Sequence, residues 1–258
     1  MLALAIGWGL HWLGGRGTAR SISIALVGLE PLLLVFWLWS TFGALASALR
    51  NVVGGPSRFW GVVTLLLLGI ATVGWFAALR HEGAVMRGHW AVAMGKQPTE
   101  RFDITVRDEG RTISFSGGVN DGAAAALDQA IGAAPKASTL LLDSPGGWLR
   151  EGGRMADVVQ RYRLNTRVEH ECFSACTVVL LAGENRSAGG AAVIGFHRGR
   201  GVGESTDGRK VAESSEEFEL YRRAGLKPEF VRRIVATPND SIYIPSATEL
   251  RRQDVLTR

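Results

Sequence analysis

The sequence predicts an α/β domain with a mostly parallel sheet, preceded by an α-helical membrane region. Three observations carry that reading. Residues 1–80 are apolar and almost free of charge, short apolar strands alternate with helical stretches from residue 102 onward, and glycine-bearing turns fall where those strands end. The chain divides accordingly into a membrane region (1–81), a linker (82–101) and the α/β domain (102–258).

The stretch "FWGVVTLLLLGIATVGWFAAL", residues 59–79, has no charge and lies between Arg58 and Arg80. At about 1.5 Å per residue it covers roughly 30 Å, the hydrocarbon thickness of a bilayer. Residues 31–49 form a second candidate span, with Pro31 in the first turn of the helix and Glu30 at its mouth. The alternative is one longer helix from about Ser21. It would bury Glu30 at a cost of about 2.5–3.5 kcal/mol. The apolar start "MLALAIGWGLHWL" is short for a span and lacks the basic start and cleavage site of a secretion signal. The loop 50–58 carries Arg50 and Arg58 without an acid, which favours its facing the cytoplasm. The α/β domain then lies on the other side, periplasmic in a bacterium. Arg80, Arg87 and Lys96, beyond the last span, pull the other way.

Charge and cysteine content narrow the function classes. Of the formal net charge of +5, residues 1–80 supply +4, from five arginines against one acid. The surplus therefore flanks the apolar segments and does not form a basic face, and no nucleic-acid partner is expected. Two cysteines are too few for a disulfide scaffold or a structural zinc site. No metal and no cofactor is expected.

Within the α/β domain, "FDITVRDEGRTISFSG" (102–117) alternates about Asp108-Glu109-Gly110 and reads as a hairpin. Residues 120–134 read as a small-residue helix capped by Asn120 or Asp121. The apolar run 138–143 fits a strand of a sheet covered on both faces. Residues 149–163 are helical, with Met155, Val158, Val159 and Tyr162 on one stripe. Strand 166–171, helix "ACTVVLLAG" and strand 191–196 follow, and 211–236 is helical and charged. Strands and helices of this length imply right-handed βαβ crossovers.

Two features sit where such sheets bind ligands, beyond the C-terminal ends of strands. In "DSPGG" (143–147), Pro145 restricts the chain while Gly146 and Gly147 permit conformations that aim backbone amides into a pocket. A tight turn reads the same way. In "ECFSACT", Ser174 stands between Cys172 and Cys176 at a strand-to-helix junction. It suits a nucleophile beside oxyanion-binding amides, and it equally suits a helix N-cap. A nucleophilic serine needs a base. His11, His81 and His89 belong to the membrane side, whereas His170 precedes the serine turn and His197 ends an apolar strand.

Taken in order, "LLLDSPGG…ECFSACTVVLLAG…VIGFHRGRG" resembles the Clp-type serine peptidases of the Clp/crotonase superfamily. Gly183 lies nine positions after Ser174 and His197 twenty-three after it, close to that family's intervals, and "TPNDSIYIPSATEL" (237–250) resembles its aspartate segment. The match covers about three-fifths of the chain, from about residue 112. It implies a Clp/crotonase-like fold of ββα units, with Ser174 as nucleophile, His197 as general base and Asp240 as orienting carboxylate. Gly147 and Ala175 would supply the oxyanion amides, and Gly146 and Pro145 would contact substrate. The chain departs from the pattern in Cys172 and Cys176, four apart, where the family has small residues. They would form a local disulfide across the turn or remain two buried thiols. The implied partners are a peptide or protein substrate, the bacterial inner membrane and further copies of the chain, as a homo-oligomer. The same fold would alternatively serve as a catalytically silent interaction or assembly module, or carry acyl-CoA chemistry. A membrane relative uses a serine–lysine dyad instead, but Lys136, Lys210 and Lys227 match no such position.

Overall fold

The computed structural model describes residues 17–55, 58–199 and 216–257, and it divides into two compact units that meet in sequence at Lys96 and Gln97. The N-terminal unit is a pair of helices, α1 (Ala19–Gly54) and α2 (Arg58–Ala93). Thr18 caps α1 by accepting the Ser21 amide at 3.1 Å. The two helices run antiparallel. Near the connecting loop, Gly61 lies so close to α1 that a Cβ would sit 2.9 Å from the Ala48 carbonyl oxygen. Farther along, the Trp37 and Trp75 rings stack at 4.4 Å. At the far end Ser23 Oγ meets His89 Nδ1 at 3.0 Å, and Arg20 Nε donates to the Ala93 carbonyl at 3.2 Å.

Large apolar side chains cover the outside of this pair, among them Trp39, Phe42, Ile70 and Val73, each more than 70 % exposed or close to it. Both helices are long and apolar enough to cross a membrane. Two expectations change. Pro31 lies inside α1 and does not open it, so the longer helix is the one that forms, with Glu30 in its interior. Residues 82–93, assigned above to a linker, continue α2.

The second unit is built on a six-stranded sheet in the order β1-β2-β3-β4-β5, with β6 also paired to β4. Strands β1 (Asp103–Arg107) and β2 (Thr112–Ser116) form the antiparallel hairpin, turning through a short 3₁₀ segment at Asp108–Gly110. The other pairings are parallel. β2 lies beside β3 (Thr139–Ser144), and β3 beside β4 (Asn165–Phe173). The nine-residue β4 then pairs with two short strands along one edge. Its first half meets β5 (Arg186–Ala188), and its last three residues meet β6 (Val193–Gly195) in the register Glu171↔Val193, Cys172↔Ile194, Phe173↔Gly195. β5 was missed in the sequence because three residues are too few to show periodicity.

Helices α3 (Ala123–Ala133), α4 (Leu149–Arg161) and α5 (Ala175–Leu181) complete the crossovers. α6 (Glu216–Arg223), α7 (Pro228–Ala236) and α8 (Ala247–Arg252) follow; of the expected helical run 211–236, residues 211–215 lie outside the described residues. The core gathers Ile113, Phe115, Leu140, Leu142 and Val168 from the strands with Leu127, Met155, Val159 and Val179 from the helices, all essentially inaccessible to water. Every residue of α5 is buried. In contrast to the expectation of a doubly covered sheet, β3 alternates half-exposed and buried along its length: Leu140, Leu142 and Ser144 face the core while Thr139, Leu141 and Asp143 do not. The continuous apolar run arose from leucines on both faces, which periodicity alone cannot separate.

The cap of α3 is also corrected. Its N-cap is Gly122, in a left-handed conformation, and neither Asn120 nor Asp121 caps it. Asn120 donates instead to the carbonyls of Thr99 and Glu100. The free amides at the start of α3 find a distant partner in Glu151 of α4. Its Oε1 accepts from Gly122 N and Ala124 N at 3.1 and 3.0 Å, and its Oε2 lies 3.3 Å from Arg154. Glu151 is only 3 % exposed, so its removal leaves those donors unsatisfied inside the fold. Glu151→Ala is therefore expected to lower stability by about 2–4 kcal/mol. Glu151→Gln, which keeps one acceptor oxygen, is expected to lose less. Denaturant unfolding of the two variants beside the parent protein checks the order.

Candidate active site

Four loops converge at the C-terminal ends of the parallel strands. Ser174 follows β4, residues 145–148 follow β3, His197 follows β6, and the segment 237–243 returns against the β6 extension. There Phe196 and Tyr243 exchange backbone bonds at 2.9 and 2.8 Å, and Arg198 N donates to Thr237 O at 3.0 Å. Because β4 and β6 are parallel and pair Phe173 with Gly195, Ser174 and His197 leave neighbouring strands on the same edge of the sheet.

The conformation of Ser174 is the feature that sequence could not supply. Its backbone has φ 53° and ψ −123°, a combination that a residue with a side chain rarely adopts, at a cost of about 1–3 kcal/mol. Its side chain makes no capping hydrogen bond to α5. Ser174 stands at the N-cap position of α5, but its side chain does not act as the cap. The turn is fixed from several sides. Ser174 N donates to Gly195 O at 3.1 Å, while its carbonyl accepts from Thr177 N at 2.9 Å and Thr177 Oγ1 at 2.7 Å. A disulfide joins Cys172 at the end of β4 to Cys176 in the first turn of α5, both fully buried, so the serine sits inside a covalent loop. With both sulfurs bonded to each other, neither cysteine is a nucleophile.

Beneath the turn, Gly146 is packed so tightly that a Cβ would come within 2.6 Å of Phe173 O and 2.8 Å of Ser174 Cβ. The position requires glycine for space as well as for its φ of 94°. Gly146 N is engaged by buried Ser144 Oγ at 3.1 Å and Gly146 O by Val119 N at 2.8 Å. This residue therefore supports the turn and offers no free amide to a substrate, and Pro145 is exposed beside it. Gly147 is anchored by its neighbours, since Trp148 N donates to Val119 O at 2.8 Å. Among the described residues the amides of Gly147 and Ala175 donate to no protein acceptor. Ala175 N opens α5 and lies 3.2 Å from where a Gly146 Cβ would be, so the glycine turn and the helix start abut. Both amides thus remain available as donors near the serine turn.

At His197 the residue against Nδ1 is Asn239, at 3.0 Å. Asp240, one position later, is exposed, and its Oδ1 accepts from the adjacent Ser241 Oγ at 3.5 Å. The tautomer follows from a second contact. Asn239 Nδ2 also donates to the Arg198 carbonyl at 3.2 Å, which can only accept, so the amide NH₂ and not its oxygen faces the ring. Nδ1 is then an acceptor, and the proton of the neutral imidazole rests on Nε2.

The other candidates are occupied elsewhere. His170 Nδ1 lies 3.1 Å from Asp143 Oδ2 on an exposed stretch of β4, and His89 belongs to the helix pair. Lys227 Nζ donates to Arg252 O at 2.9 Å, and Lys210 falls outside the described residues. Near the histidine loop, Glu217 accepts the Gly199 amide at 2.7 Å. Burial pushes its carboxyl above the usual range, while that hydrogen bond and the Arg198 guanidinium draw it down. Among the described residues no cluster of His, Cys, Asp and Glu side chains is arranged to hold a metal ion.

No family model matches the chain, and no curated protein matches it. Among solved structures, ClpP1 from Listeria monocytogenes is similar at 19 % identity and a TM-score of 0.44, covering 57 % of this chain and 89 % of that one. The ClpP1 N165D mutant from the same organism is similar at 17 % identity and a TM-score of 0.41, with the same coverage.

The loop between Cys172 and Cys176 is short, so its closure contributes about 2 kcal/mol by chain-entropy arithmetic. In denaturant without reductant, maleimide should modify neither cysteine, and after reduction it should modify both. The double variant Cys172→Ala/Cys176→Ala should lose about 2 kcal/mol of stability in denaturant titration.

Proposed function

We propose that this chain is a membrane-anchored serine peptidase with a Clp-like α/β domain. The observation that carries the reading is Ser174, held at positive φ on a strand-to-helix turn, with its hydroxyl unused by the helix and two amides at hand that have no acceptor among the described residues. In the proposed reaction, His197 takes the Ser174 proton as Oγ attacks a peptide carbonyl. The new oxyanion is held by the Gly147 and Ala175 amides. Collapse releases the amine, which receives its proton from His197. Water, deprotonated by the same imidazole, then attacks the acyl-serine and frees the carboxylic acid and the serine hydroxyl. The helix pair α1–α2 would anchor the domain, and the Cys172–Cys176 disulfide supports an oxidising, periplasmic location. Homo-oligomerisation is proposed on the family resemblance alone.

Asn239 favours a second reading, an interaction module that uses the same cleft without turnover. A base acting through Nε2 needs that nitrogen unprotonated, and the Asn239 contact holds the proton there. In the best-known serine peptidase triad, replacing the aspartate by asparagine costs about 10⁴ in kcat for this reason. The site is therefore expected to be slow.

Labelling of the detergent-solubilised full chain with a fluorophosphonate separates the two readings. As a peptidase, the protein should label slowly, Ser174→Ala and His197→Ala should abolish labelling, and Asn239→Asp should accelerate it at least roughly tenfold by favouring the Nδ1–H tautomer. If folded wild type and Asn239→Asp both fail to label, the peptidase reading is lost and the binding module stands.

A further inference from the structure

Helix α6 touches both arms of the candidate site. Glu217 and Tyr221 are four residues apart and so lie on one face of this helix. Glu217 Oε1 accepts the amide of Gly199, two residues beyond His197, at 2.7 Å. Tyr221, 1 % exposed, places its hydroxyl 3.4 Å from Thr177 Oγ1, and Thr177 Oγ1 in turn donates to the Ser174 carbonyl at 2.7 Å. Since the Thr177 hydroxyl proton is directed to Ser174, its oxygen is the acceptor for the tyrosine. Burial pushes the Tyr221 phenol well above its ordinary range, so it remains a donor at any working pH. The Tyr221 ring also meets Phe196, the residue before His197, edge-on at 6.3 Å. One helix face thus holds the chain just after the histidine and, through one hydroxyl, the backbone of the serine.

We propose that α6 sets the relative placement of Ser174 and His197, with Glu217 and Tyr221 as positioning residues that fix the histidine loop and the serine turn to a common support. The proposal rests on the reading of Ser174 and His197 as nucleophile and base. Its structural content, coupling of two loops through one helix, is measurable without any reaction. Glu217 and Tyr221 exert their effect through Gly199 and through Thr177.

Hydrogen exchange on the full chain in detergent, read on peptides spanning 174–181 and 196–199, tests the coupling. Glu217→Ala is expected to raise exchange about tenfold in the histidine loop and also in the serine turn, as loss of one buried hydrogen bond predicts. Glu217→Gln, which keeps an acceptor oxygen for Gly199, should stay close to the parent. Tyr221→Phe, a milder change that preserves the ring packing, should raise exchange in the serine turn while α6 itself stays protected. Fluorophosphonate labelling of Ser174 should fall about tenfold in Glu217→Ala and Tyr221→Phe and recover in Glu217→Gln. Exchange changes confined to α6, or equal loss in Glu217→Ala and Glu217→Gln, would overturn the proposal. Failure of the parent protein to label would count against the peptidase reading, and the exchange pattern would still decide whether α6 joins the two loops.

Discussion

The serine turn depends on a backbone conformation that the chain would not adopt by itself. An L-residue at φ 53° and ψ −123° persists only where its surroundings over-determine it. Here the determinants come from four directions: a disulfide across the turn, a hydrogen bond from the β6 end, two bonds from Thr177 and a glycine packed underneath. Each removes an alternative path for the chain between β4 and α5. The result is a serine at the edge of the sheet near the Gly147 and Ala175 amides, which donate to no protein acceptor among the described residues. The strain is local, and α5 behind it is buried at every residue, between the sheet and the neighbouring helix α4.

The length of β4 explains why the histidine arrives beside this turn. A shorter strand would end at β5, and β6 would have no partner near the serine. Because β4 runs nine residues, its last three pair with β6 and set Ser174 and His197 on adjacent strand ends. The returning segment 237–243 then closes over the histidine, and there a single register step decides which side chain meets the imidazole. Asn239 faces the imidazole and Asp240 faces solvent. An amide that donates to Nδ1 and a carboxylate that would accept from it place the ring proton on opposite nitrogens. One residue's offset therefore sets which ring nitrogen carries the proton of the neutral imidazole.

Much of the fold was legible in the sequence because it is written in short-range patterns. The hairpin about Asp108–Gly110, the parallel strands, the glycine turn after β3 and the two long apolar helices follow from alternation, turn residues and uninterrupted apolar length. The misses share a cause. Asn120 looked like the cap of α3, yet the cap is a glycine supported by Glu151 from another helix. Pro31 looked like a helix start, yet the helix is already formed by Thr18.

By itself the sequence determined which residue types were available at the strand ends: one serine between two cysteines, a Pro-Gly-Gly turn, a histidine closing an apolar strand. Those features are local, set by neighbours along the chain. The tertiary structure decided how each is held: that the Ser174 side chain does not cap α5, that Cys172 and Cys176 are joined, that Gly146 supports the turn, and that Asn239 and not Asp240 meets the histidine. Those outcomes depend on contacts between residues tens of positions apart. Their hydrogen-bond directions and packing distances exist only once the sheet has brought the loops together.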